Sequence, residues 1–243
     1  MTLKRFLVRE GLSLAFVVAI VSFLRVTVFG LYYLPSDTMR PTLLPGDTLL
    51  VNRLAYGLHL PFQERPFTSW ASPARGDVIV FRNPSGEGVL VKRVVGIGGD
   101  RIAVEAGRIR LNGTPLEEVE LTDESLYARY EVSAQVARLS WESPQGSSPH
   151  LVQHSLLPHR SLPDAREFVV PPDRFFCMGD HRDDSPESRF WGFIERDHVF
   201  GRAERVAYSL SPARTPAQAP AGVGADSWIR WWRTLLSVRE PAV

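Results

Sequence analysis

A chain of 243 residues and 27.3 kDa can bury one large core or two small ones. Hydrophobic residues at 44% and charged residues at 23% exclude global disorder, and 28 basic against 27 acidic side chains exclude the basic field of a nucleic-acid binder. One cysteine, Cys177, excludes an internal disulfide and a thiolate zinc cluster. In chain order, Met1–Glu10 carries Lys4, Arg5 and Arg9, and Gly11–Leu24 is uncharged. Arg25 interrupts, then Val26–Leu34 is apolar again apart from Thr27. The window 11–34 is long enough to span a bilayer, with Arg25 snorkelling and Tyr32 and Tyr33 at the headgroups. A cleaved signal peptide is the alternative, but the apolar stretch runs past the place for a small-residue cleavage site. Residues 1–34 are therefore expected to be a cytoplasmic start and a single anchor, with the basic flank inside and the rest of the chain on the outer face.

From Leu34 onward, short β-branched runs alternate with turns. Thr48–Leu54, Val78–Arg82, Val89–Ile97, Ile102–Glu105 and Ile109–Leu111 read as strands. Asn83–Gly88 and Asn112-Gly113 read as turns, with Ala106-Gly107 a weaker one. This is a mostly β sandwich or folded-over barrel. Residues 115–166 begin acidic and hold His150, His154 and His159, half of the six histidines, which suggests an inserted, partly irregular lobe. The β character returns over Glu167–Met178 and Val199–Leu210. Residues 211–243 form a Pro/Ala-rich linker and a Trp/Arg-rich tail, suited to an interfacial helix or to one docked on the body.

Three clusters carry candidate chemistry: PSDTMRPTL at 35–43, VKRVVGIGG at 91–99 and GDHRDDSPESR at 179–189. Lys92 lies among Val89, Leu90, Val91, Val94 and Val95. Buried there, its amine would titrate near neutrality and could activate a hydroxyl without histidine. Strand alternation puts Lys92 and Arg93 on opposite faces, one toward a core and the other toward solvent; an exposed edge pair is the plainer alternative.

In this order, behind an anchor, the clusters resemble type I signal peptidase, the membrane-bound Ser/Lys-dyad protease that removes signal peptides. The likeness spans about 34–113 and 167–205, and Thr38 and Lys92 stand 54 residues apart, of the family's order. It implies a single transmembrane helix at 1–34, a folded β-sheet or barrel catalytic domain at 35–114 and 167–210, an inserted lobe at 115–166 and a tail at 211–243. By the same resemblance, Lys92 is the general base, Ser36 supports the oxyanion and Ser185 orients the amine. Met39 and Pro41 shape the segment beside the scissile bond, while Asp180, Arg182, Asp183 and Arg189 form a charged scaffold. The family's nucleophilic serine is here Thr38, and His181 and Glu187 stand where Asn and Asp are usual. The resemblance further implies Ala-x-Ala signal peptides and a lipid bilayer as partners, a bacterial-type cytoplasmic membrane location, and neither metal nor organic cofactor. Oligomeric state is left open. A catalytically impaired homologue that binds signal peptides or assists an active paralogue is the alternative function.

Other candidates have plainer readings. His150, His154 and His159 are expected to be exposed loop histidines. Asp183, Asp184 and Glu187 read as a loop salt-bridged to Arg182 and Arg189. Cys177 is expected to be a buried packing residue. Gly96–Gly99 lacks the context of a phosphate loop.

Overall fold

The computed structural model describes residues 3–58, 66–105, 108–144, 146–157, 166–210 and 229–238; within the N-terminal helix, the side chains of 3–9, 19, 22 and 24–26 are not described. The Ala106-Gly107 turn, His159, the linker Arg214–Ala225 and Trp228 lie outside the described residues. Helix α1 (Leu3–Val28) is followed by β1 (Phe29–Tyr33), β2 (Asp47–Asn52), β3 (Gly57–Leu58), β4 (Thr68–Ser69), β5 (Val78–Arg82), β6 (Val89–Ile97), β7 (Arg101–Glu105), β8 (Arg108–Leu111), β9 (Thr114–Pro115) and β10 (Glu117–Glu120). Helix α2 (Glu124–Arg129) leads into β11 (Ala137–Ser143), β12 (His150–Ser155), β13 (Arg166–Val169) and β14 (Arg174–Met178). Helix α3 (Ser188–Trp191), β15 (Ile194–Glu195) and β16 (Val199–Ser209) follow, with a 3-10 turn at Trp231–Arg233.

The protein is mostly β. Seven strands form the main sheet in the order β1-β2-β16-β5-β6-β14-β15, every neighbouring pair antiparallel. Its centre is covered on both faces, which explains why β5 reads as an unbroken apolar run and does not alternate with polar residues. Val78 and Val80 join Met39, Leu43, Leu49, Val51 and Val91 on one side, while Ile79 and Phe81 join Tyr56, Val94, Phe175 and Ile194 on the other. Burying such a side chain contributes roughly 1.5–3 kcal/mol. A second sheet, β13-β7-β8-β9, packs Ile102, Ile109 and Leu111 against Val95, Phe176 and Met178. The β8–β9 turn places Asn112 at φ 52° and Gly113 at φ 84°, the two positive values that a type I′ hairpin requires and that Asn-Gly supplies.

Four expectations need correction. The apolar stretch Val26–Leu34 does not continue one helix: α1 ends at Val28, and Phe29–Tyr33 pairs with β2 as the edge strand of the main sheet. Gly30 and the aromatic residues around it favour extended over helical backbone. The described part of the lobe is regular: β10-β11-β12 form a sheet over Leu121, Tyr127, Tyr130, Leu139 and Leu151, and Asp123 caps α2 by accepting from Ser125 N at 2.9 Å. His150 and His154 lie on β12, His150 buried and His154 half-buried, and neither is in a loop. The described tail is not a long helix. It bridges to β16 through Arg205 and Ser237 and sends Arg233 into the core, where Nε donates to Asp47 Oδ1 at 2.9 Å. Alternating tryptophan and arginine gave the sequence an amphipathic look, but a fully buried aspartate awaited one of those guanidiniums.

The described apolar side chains of α1, including Leu12, Leu14, Phe16 and Phe23, are exposed. Judged on described residues alone, no helix is long and apolar enough to cross a membrane.

Candidate active site

The three clusters converge at one end of the main sheet. Ser36, Asp37 and Thr38 occupy the turn between β1 and β2, anchored from behind by the buried Met39, Pro41, Leu43 and Leu44. Ser36 Oγ and Thr38 Oγ1 are 3.3 Å apart and share a hydrogen bond in which either is the donor. This turn is also tied to the third cluster, because His181 N donates to Thr38 O at 3.2 Å.

Lys92 sits mid-way along β6, flanked by β5 and β14, with 1% of its surface exposed. Its Nζ donates to Ser185 Oγ at 2.9 Å. Burial is the dominant influence on the amine and lowers its pKa to about 8, against the opposing pull of the Glu187, Asp180 and Asp37 carboxylates. At pH 7 about one amine in ten is then neutral, against fewer than about one in a thousand at the ordinary lysine value. Gly179 makes the approach possible. A Cβ there would stand 2.3 Å from Thr38 O and 2.4 Å from Ser185 Oγ, so the position tolerates no side chain. Thr38, Ser185 and Lys92 thus form a contiguous group around one glycine.

Both Lys92 and Arg93 are buried, contrary to the expectation that one of them faces solvent. Both faces of β6 are covered, and Arg93 is accommodated because Nε and Nη2 donate to the two oxygens of Asp180 at 2.8 and 2.7 Å. Burial pushes the Asp180 carboxyl up, but the Arg93 charge and hydrogen bonds outweigh it and hold the group below its usual range. Arg182 pairs with Glu142 of β11, its Nη2 donating to Oε1 at 2.7 Å, and its Nε donates to Gly179 O at 3.2 Å. Arg189 pairs with Glu187 and donates to Arg182 O; Glu187 Oε2 accepts from Gly179 N at 2.8 Å. Burial raises the Glu187 carboxyl despite Arg189. Asp183 accepts from Ser155 N at 2.8 Å and lies 3.6 Å from His154 Nδ1. Burial opposes charge on His154, yet Asp183 and Glu118 together raise it to about 9. Cys177 is buried beneath the site, and burial drives its thiol well above the ordinary range, as befits a packing residue.

Asp180, Arg182, Asp183 and Arg189 are therefore all charge-paired, but Arg182 and Asp183 pair with the lobe and not within their own loop. Reading the sequence missed Glu142 and Gln153. Gln153 N donates to Asp180 O at 2.8 Å and Gln153 O accepts from Arg182 N at 3.0 Å, so β12 adds a strand-like edge to the loop. No motif marks either residue; each is one polar position in an alternating strand.

The sequence profile of the family described as "Signal peptidase, peptidase S26" matches residues 7–208. The chain is 36% identical over 212 residues to signal peptidase I of Pseudomonas aeruginosa, covering 82% of this chain and 72% of that one. It is 31% identical over 239 residues to signal peptidase I of Aquifex aeolicus, covering 87% and 88%. A solved signal peptidase I from Enterococcus faecalis aligns at 24% identity and a TM-score of 0.34, over 55% of this chain and 98% of that one. With its profile running through all three clusters and curated relatives matched over most of their length, the chain belongs to the signal peptidase family, peptidase S26.

Proposed function

We propose that this chain is a membrane-anchored endopeptidase that removes N-terminal signal peptides from translocated preproteins through a Thr38–Lys92 dyad. The observation that carries the reading is the buried, largely desolvated Lys92 amine held by Ser185 beside the Thr38 turn. The neutral amine takes the Thr38 Oγ1 proton as that oxygen attacks the scissile carbonyl. Ser36 Oγ and the Thr38 N–H stabilise the oxyanion, and the Lys92 ammonium returns its proton to the leaving amine. A water deprotonated by the same amine then hydrolyses the Thr38 ester. Ser185 keeps the amine in line, while Gly179 and the Asp180–Arg93 pair hold the loop that carries it.

The anchor belongs to the same proposal. A 26-residue helix is about 39 Å long at ~1.5 Å per residue, enough for the ~30 Å hydrocarbon layer. Its exposed apolar side chains have no protein to cover them among the described residues. The basic first ten residues place the N-terminus in the cytoplasm and the β domain at the outer face of a bacterial-type cytoplasmic membrane. Ala-x-Ala sites are the expected substrates.

The test is cleavage of a preprotein bearing an Ala-x-Ala site by the detergent-solubilised full chain beside Thr38→Ala and Thr38→Ser. Cleavage lost in Thr38→Ala and increased in Thr38→Ser supports a threonine nucleophile hindered by its β-methyl, whose cost reaches about 10²-fold if it holds the oxygen ~1 Å off line. Undiminished cleavage by Thr38→Ala overturns the dyad.

A further inference from the structure

The loop at 179–185 faces the nucleophile turn with a group that the peptidase chemistry does not use. One ring nitrogen of His181 and one carboxylate oxygen each from Asp37 and Asp184 all lie within 4.8 Å of one another. We propose that Asp37, His181 and Asp184 form a site for a borderline divalent cation of the zinc type, bridging the Thr38 turn and the loop that carries Ser185.

The acidic pair alone would carry little, since exposed aspartates gather without ions. The histidine supplies the independent observation. His181 is only 8% exposed, and its Nδ1 is buried with no hydrogen-bond partner among the described residues. The other nitrogen, Nε2, is occupied: it lies 3.2 Å from Gln153 Nε2. Nδ1 is therefore the nitrogen free to meet the two carboxylates. Gln153 Oε1 is a second buried atom without a partner. A half-turn of the Gln153 amide gives Oε1 a partner, because it then accepts the proton of His181 Nε2, and leaves Nδ1 with a lone pair and no hydrogen-bond partner among the described residues. That is the arrangement by which metal-binding histidines are fixed, the far N–H donated to a carbonyl.

The donor set is one imidazole and two carboxylates, which suits zinc and its neighbours better than calcium or magnesium. Donors around tetrahedral zinc stand about 3.4 Å apart for bonds near 2.0–2.1 Å. Asp37 and Asp184 are exposed, so their side chains can close the remaining gap by rotation. Three protein donors leave a position for water. The site ties together two segments already joined by the His181 N to Thr38 O bond, and Asp37 is the residue between Ser36 and Thr38. Binding stands apart from whether Thr38 cleaves peptides.

The full chain in detergent micelles, stripped with a chelator and dialysed, is titrated with Zn²⁺ by calorimetry and with Co²⁺ by visible absorption. One ion per chain, visible Co²⁺ bands and a thermal midpoint raised by Zn²⁺ are expected. His181→Asn and Asp184→Asn should abolish these signals while the metal-free midpoint stays near wild type, and Gln153→Leu should weaken binding about 10- to 100-fold. His154→Gln, at the other histidine flanked by carboxylates, should leave binding intact. Absence of one-to-one binding, or binding that survives His181→Asn, overturns the proposal.

Discussion

Lys92 is held where its charged form is penalised, and two measurable consequences follow with defined signs. In the proposed dyad catalysis needs the neutral amine, so kcat/KM should climb about tenfold per pH unit below about 8 and level off above it. For stability, the folded pKa lies below the unfolded one, so the cost of the buried ammonium is fully present below about 8 and is relieved as pH rises toward about 10.5. The cost at pH 7 is on the order of 3 kcal/mol. Lys92→Met should therefore abolish cleavage and raise the thermal midpoint; a midpoint well below wild type would mean that the lysine is held by interactions stronger than its desolvation. Gly179 has a different kind of constraint. Its missing side chain is the space between Thr38 O and Ser185 Oγ. Gly179→Ala should lower kcat at least about 10²-fold, the scale of a ~1 Å displacement of the reacting groups, and should do so in a chain that still shows native strand content by circular dichroism.

At the scale of elements, the lobe acts as a brace for the base loop. Strands β11 and β12 present Glu142 and Gln153 to that loop, and the Glu142–Arg182 pair is fully buried. Breaking a buried pair strands the remaining charge at about 3–5 kcal/mol. Glu142→Gln should thus lower the midpoint by about 6–20 °C, at 2–4 °C per kcal/mol for a chain of this size, and reduce kcat by loosening Ser185. Arg182 holds the Glu142 carboxylate far below its usual range against burial, so this stabilisation is present above about pH 4.3 and is lost as pH falls below it. A midpoint unchanged in Glu142→Gln would show that the lobe is not coupled to the site. This coupling was beyond reach from the sequence. Runs of β-branched residues bounded by turns identified β5 and β6 to the residue, and the Asn-Gly hairpin was readable because its turn demands those residue types. The motifs likewise located Thr38, Lys92 and Ser185. What joins β11 to residue 182 is an ion pair across 40 positions between a strand and a loop with no local signal, and burial of a Glu in the run RLSWES contradicts the usual exposure of that residue. The partly irregular reading of 115–166 overlooked β10, β11 and β12 for the same reason: a polar composition hides a small core of tyrosines and leucines among the described residues.

For the whole molecule, the proposed function requires a β domain with a hydroxyl/lysine site to meet substrates that emerge from a membrane. The edge strand β1 continues directly from α1 and exposes Phe29, Leu31 and Tyr33 along one face. The tail adds Trp231, which is 72% exposed, together with Trp232 and Leu235, also exposed. An apolar helix carried into the sheet through a single residue step, from Val28 to Phe29, leaves little slack between anchor and domain. The catalytic turn at 36–38 begins only three residues after β1 ends, so it is held close to the bilayer surface if α1 spans it. Full-length protein reconstituted into vesicles should float with lipid through alkaline carbonate washes, whereas a chain beginning at Phe29 should retain the β domain's circular dichroism and lose the carbonate-resistant fraction. Protease added outside right-side-out vesicles should leave the first 28 residues protected if the basic N-terminus faces the lumen that stands for the cytoplasm. Extraction of the full chain by carbonate, or digestion of Lys4 to Arg9 from the same side as the β domain, would remove the spanning anchor and leave α1 as a helix lying on the surface. The cleavage site of a preprotein presented in the same bilayer should then be reached more slowly by the shortened chain than by the full one, while a short soluble peptide is cut equally by both, because the catalytic turn is intact in each and only its height above the membrane has changed.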